Sequence, residues 1–188
     1  MTKKELGSVF TEGFTDYMAY RIAHSAGVHT REHFARALTR FYLEYLDVAS
    51  SALSEADAEF LRYRQGMMAA WALDVELQRI SKGKYGFREL IRLLVKQHAN
   101  TDGLTKQELI AALTTIGGER FAALYEQFTG TDASVDFSLF MKSTGIQIKP
   151  VQNPGQALKE FLKGGDSVIS FAPANQSEKG FLNHFLSR

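Results

Sequence analysis

The chain has 188 residues, enough for one sizeable domain or one with a small appendage. Its 22 Lys and Arg face 21 Asp and Glu, and a net charge of +1 gives no electrostatic footprint for nucleic acid or a membrane surface. Cysteine is absent, which excludes disulfides, thiolate nucleophiles and Cys-ligated zinc, and no run of about eighteen apolar residues is available to span a membrane.

In chain order, the apolar stretch Leu6 to Phe10 is too short and too polar to read as a secretory leader. From Thr11 to about Ala26, residues Phe14, Tyr17, Met18, Ile22 and Ala26 recur at spacings of three and four, which predicts a helix with those side chains on its buried face. Gly27 is suited to end it in the left-handed conformation. Thr30 is a fair N-cap for a second helix whose stripe is Phe34, Leu38, Phe41, Tyr42 and Tyr45. Ser54, with Asp57 three residues on, makes a capping-box start for a long third helix, Glu55 to Ser81. That length without a break predicts a central, largely buried element.

A fourth helix, Phe87 to about His98, carries Leu90, Ile91, Leu94 and Val95. Thr105 caps a fifth that runs through Leu113, and a sixth covers Glu119 to Phe128. Phe137 to Lys142 is a short helix or strand. After Gly145 the pattern changes: Ile146-Gln147-Ile148 alternates like a strand, Pro150, Pro154 and Gly155 read as linker, and a short helix lies near residues 156–162. A strand at Val168 to Phe171 and a terminal amphipathic helix with Phe181, Leu182 and Phe185 complete the chain. The expected fold is mainly α, an orthogonal multi-helical bundle over residues 1–146, followed by a linker and a small α/β tail over 147–188.

Two segments carry the chemistry. The first is Phe10-Thr11-Glu12-Gly13-Phe14-Thr15-Asp16-Tyr17, which puts Glu12 in the opening turn of a helix and Asp16 one turn later on the same face. An acidic residue there also has a structural reading, since it favours the helix dipole. The second is Tyr63-Arg64-Gln65-Gly66, followed by Leu73-Asp74. Taken together and in this order, they resemble the gluzincin metallopeptidases, and within them the glycyl aminopeptidases, whose catalytic domain is like that of aminopeptidase N. Lys84-Tyr85-Gly86-Phe87-Arg88-Glu89-Leu90-Ile91 and Thr144-Gly145-Ile146-Gln147-Ile148 are similar to later segments of that group, so the resemblance covers about residues 8–148.

The resemblance implies that Glu12 is the third zinc ligand and that the Tyr63 hydroxyl donates to the oxyanion of the tetrahedral intermediate. Asp16 would act behind Glu12, orienting a ligand, or be a solvated helix residue. The implied fold is the C-terminal helical subdomain of a thermolysin-like peptidase, and the implied reaction is zinc-dependent peptide hydrolysis, near a free amino terminus. A catalytic zinc of this kind needs two histidines and a base from an H-E-x-x-H helix, and no H-E-x-x-H occurs in the 188 residues. The expectation is therefore a peptidase piece, inactive and metal-free alone. Its partners would be the missing N-terminal half and, through that half, a peptide substrate, and a second copy could cover the exposed apolar face. The alternative, from a different class, is a non-catalytic helical module that binds another protein chain.

Other patterns are weaker. His29-Thr30-Arg31-Glu32-His33 matches the inverted zinc signature, but the Thr30 cap places His29 before its helix, and the two rings are expected to face apart. Asn100 to Leu109 hints at a calcium loop but has Leu109 where a bidentate Glu is required.

Overall fold

The computed structural model describes residues 9–50, 54–99, 103–130 and 135–187. Among the described residues, eight α-helices and one two-stranded sheet make a mainly helical structure. After a π-helical turn at Val9–Phe14 come α1 (Thr15–Ser25), α2 (Arg31–Ala49), α3 (Glu55–Ile80), α4 (Phe87–His98), α5 (Lys106–Gly117) and α6 (Arg120–Thr129). A 3-10 turn at Phe137–Met141 leads to β1 (Ile146–Ile148), α7 (Pro154–Leu162), β2 (Ile169–Phe171) and α8 (Gln176–Ser187).

The caps form where the sequence puts them. Thr30 Oγ1 accepts from the His33 backbone N–H at 3.1 Å. Ser54 and Asp57 close a capping box, as do Thr105 and Glu108. Gly27 ends α1 at φ +74°, and the Val28 N–H reaches back to the Ala23 carbonyl. Other boundaries move. The first helix opens as a π turn rather than an α turn, and the fifth continues past Leu113 to Gly117, whose missing Cβ admits the Phe121 ring and Leu77. Pro154, expected in a linker, is a first-turn residue of α7, where its lack of an N–H leaves no intrahelical bond unmade.

α3 is the axis of the molecule. Every residue from Arg64 to Gln78 is buried, so this stretch has no solvent face and no amphipathic period. Trp71, Met68, Leu73 and Val75 lie at its centre, and α2, α6 and α1 pack around it. Buried polar groups on such a helix must find partners within the protein. Asp74 does so on both oxygens. Its Oδ2 accepts from the Tyr17 hydroxyl at 2.5 Å and from Arg21 Nε at 3.2 Å. Its Oδ1 accepts from Gln78 Nε2 at 2.9 Å and from the Phe87 backbone N–H at 2.8 Å. Arg21 in turn donates to the Phe185 carbonyl and lies over the Phe185 ring.

This network explains a correction to the first helix. Ile22, expected on the buried stripe, is 59% exposed, while Arg21 beside it is 5% exposed. The helix turns Arg21 inward because a buried carboxylate on α3 needs a cation. Val95 of α4 is likewise outside, at 59% exposure.

The expected boundary near residue 146 falls at β1, and the chain beyond it packs back on the bundle. β1 pairs antiparallel with β2, Ile146 opposite Phe171 and Ile148 opposite Ile169. The Ile169 N–H donates to the buried Thr39 hydroxyl of α2 at 3.0 Å. α7 lies along α2, with the Arg36 guanidinium over the Phe161 ring and its Nη1 donating to the Gly165 carbonyl. α8 closes against α1 and α3.

Replacing Asp74 by Ala strands Arg21, Tyr17 and the Phe87 N–H in the interior. The expected cost is about 3–5 kcal/mol in chemical denaturation, and a loss below about 1 kcal/mol, the worth of one ordinary hydrogen bond, would show that the network does not hold the helices together.

Candidate functional site

Two helix starts meet at the site. The π turn crosses α3 where two glycines face each other: a Cβ on Gly13 would lie 2.7 Å from the Tyr63 carbonyl oxygen and 2.8 Å from the Gly66 Cα. Both clashing groups are backbone, so no side-chain rotation relieves them. Gly13 is thus required by the close approach of two chain segments. Beyond this crossing, Asp16 reaches Tyr63 of α3.

Asp16 and Tyr63 are joined directly, the Tyr63 hydroxyl donating to Asp16 Oδ2. Glu12 is exposed one turn before Asp16, and its backbone carbonyl accepts from the Thr15 hydroxyl at 2.9 Å. Asp16 and Tyr63 are each half-buried. Burial, first, and then the Asp16 carboxylate push the Tyr63 phenol up to about 12, with the neighbouring Arg64 pulling the other way. The phenol is therefore a neutral hydrogen-bond donor throughout the physiological range.

The Tyr63 ring has a firm seat. The Arg64 guanidinium lies 4.6 Å from its centroid, 4.8 Å from that of Phe60 and 5.0 Å from that of Phe41. Arg64 is 7% exposed and forms an ion pair with Glu44 of α2 at 2.6 Å; Glu44 also accepts from Arg40 at 2.8 Å. Sequence reading misses this pair. Glu44 lies on another helix, twenty positions before Arg64, and nothing in its local pattern marks it as a partner.

From the sequence, Asp16 is expected to orient a metal ligand. In the structure its carboxylate accepts from the Tyr63 hydroxyl. No group of three or more His, Asp or Glu side chains suited to a metal is found among the described residues.

His29 does lie before α2, but its ring meets that of His33 edge to face, with centroids 6.2 Å apart. The loop between α1 and α2 brings them together, because His29 also stacks on Tyr20 of α1 at 5.8 Å and its carbonyl contacts His24 Nδ1. Of the calcium-like segment, residues 100–102 lie outside the described residues. Glu108 is committed to its capping box, its Oε2 accepting from the Thr105 N–H at 2.7 Å.

No protein-family model matches this chain, and neither a curated protein nor a solved structure does.

The glycine crossing and the raised phenol can each be tested. Gly13→Ala should destabilise the protein by about 1–3 kcal/mol, read by thermal or chemical unfolding, since the added methyl forces the π turn off α3. In Tyr-labelled NMR titration, Tyr63 should ionise near pH 12, and Asp16→Asn should lower that midpoint by removing the carboxylate while burial keeps it above the usual tyrosine range. Because the folded-state value is raised, the Tyr63 contribution to stability is complete below about pH 10 and is lost as pH rises toward 12.

Proposed function

We propose that this chain is the C-terminal helical part of a gluzincin zinc peptidase of the glycyl aminopeptidase type. Glu12 is its contribution to the metal and Tyr63 its donor to the oxyanion. The observation that carries the reading is the junction of the two motif segments. The Asp16 carboxylate, four residues after Glu12, accepts a hydrogen bond from the Tyr63 hydroxyl, although the two lie 47 positions apart in sequence. The helical architecture is in keeping with the helical subdomain of a thermolysin-like peptidase.

The described residues by themselves do not fit a catalytic zinc. Such a site takes three protein ligands and leaves a fourth position for water, and this chain brings one exposed carboxylate to it. Two histidines and a general base must come from another segment, docked on the face that carries Glu12. On this reading the chain alone is an inactive piece of the enzyme.

Glu12 presents its carboxylate to solvent from a helix start whose position the Gly13–Gly66 crossing sets. Tyr63 keeps its proton to about pH 12, so at neutral pH it can only donate, as an oxyanion requires. Asp16 accepts a hydrogen bond from the Tyr63 hydroxyl and holds the phenol in place. The Arg64–Glu44 pair fixes the ring from behind.

The test is the genomic reading frame that contains the chain. An H-E-x-x-H within about thirty residues before Glu12 is expected, and its absence overturns the reading in favour of a helical interaction module. In the longer protein, Glu12→Gln should abolish stoichiometric zinc. Tyr63→Phe should retain zinc and lower kcat by about 10²–10³-fold, the usual cost of one oxyanion donor. Full zinc content in the first variant would remove Glu12 from the metal.

A further inference from the structure

At the far end of α3 from Tyr63, a cleft of about 450 Å³ lies between the last turn of that helix and one face of α8. Sixteen residues of helix put it roughly 24 Å from the tyrosine, so it is a separate place on the molecule. Its charge is one-sided. Arg79, Lys82, Ser143 and Ser177 are among the residues that line it, and no carboxylate lines it among the described residues. The nearest acids are committed elsewhere. Glu76 is held by both Arg79 and Arg120, and Glu178 spends its oxygens on the Ala174 N–H and the Asn175 amide at the start of α8. The Arg79–Glu76–Arg120 group therefore keeps a net positive charge, and Arg79 Nη1 stays outside the pair with Glu76.

Two backbone features place these groups. Lys82 and Ser143 have φ of +52° and +61°, and they are the non-glycine residues with positive φ among those described. Both line this cleft. The position after a helix end normally goes to glycine, because a Cβ is strained there. Here a lysine occupies it, although the next residue is Gly83. The second feature is Gly180. It lies inside α8, where glycine weakens a helix relative to alanine. A Cβ there would meet nothing within 4 Å, so packing does not require the glycine. Its missing side chain widens the cleft beside the half-buried Phe181 ring.

The walls are fixed. The His184 ring donates through Nε2 to the Gly83 carbonyl at 2.9 Å and fills the space that a Gly83 Cβ would need. This contact pins α8 to the end of α3 and preforms the cleft.

We propose that the α3–α8 cleft binds a small organic anion. Its carboxylate or phosphate head sits between Arg79, Lys82 and the two serine hydroxyls, and its apolar part lies on Phe181 beside Gly180. The head group would exchange hydration for charge-assisted hydrogen bonds.

The probes are phenyl phosphate and benzoate, with benzamide as the uncharged control, added to the full chain. Both anions should raise Tm saturably and shift amide resonances at residues 79–84, 143 and 177–184, while benzamide should not. Lys82→Gly removes the cation and relieves the backbone strain, so it should fold at least as well. It should also weaken both anions by about tenfold or more, as loss of a charged hydrogen bond does. Gly180→Leu fills the cleft, favours the helix and should abolish the shifts. Equal response to benzamide, unchanged affinity in Lys82→Gly, or no saturable shift with either anion would each overturn the proposal.

Discussion

The buried carboxylate of Asp74 constrains more of this structure than any other group. A charge at the centre of a bundle costs several kcal/mol unless it is paired and its lone pairs are filled. Four donors from three helices meet that demand: Tyr17 and Arg21 from α1, Gln78 from α3 itself and the first N–H of α4. Satisfying Asp74 therefore fixes the rotation of α1 and the point at which α4 begins. Arg21 extends the chain of contacts to the Phe185 carbonyl, so α8 is held by the same charge. Burial, together with the Asp74 carboxylate, holds the Tyr17 phenol well above its ordinary range, which keeps it a donor to that carboxylate.

The rotation of α1 has a consequence at its other end. With Tyr17 and Arg21 turned toward Asp74, Asp16 beside Tyr17 comes to the side where Tyr63 stands. The Gly13–Gly66 crossing then sets the distance, since neither backbone can retreat from the other without opening the core. A core network and a glycine contact thus position the polar groups at the start of α3. At the opposite end of the same helix, α8 and the His184–Gly83 contact shape a cationic cleft. α3 itself, buried from Arg64 to Gln78, is the rigid spacer between the two.

Much of the fold was legible locally. Thr30, Ser54 and Thr105 start helices because a side-chain oxygen three residues before an unpaired N–H satisfies it, whatever surrounds it. The strands of the seam between Ile146 and Phe171 were visible, one as an alternating run and one as an apolar run, though not their pairing. The site was legible in part. Glu12, Asp16 and Tyr63 stand out as motif residues, while Glu44, which backs Arg64 beneath the tyrosine, has no local signature. The exposed Ile22 and the buried Arg21 reverse what hydrophobic spacing alone predicts. Spacing reports which face is apolar, and it cannot report a charge waiting on another helix.

By itself, then, the sequence determined the helical class, the places where most helices begin and the segments that carry polar chemistry. These depend on hydrogen bonds and side-chain spacing within a few residues. Tertiary structure alone decided which way α1 turns, which carboxylate holds Tyr63, that the tail folds back on the bundle, and that Lys82 and Ser143 share a cleft. Each of those rests on pairs of groups tens of residues apart, whose approach is set by burying one another's charge and surface.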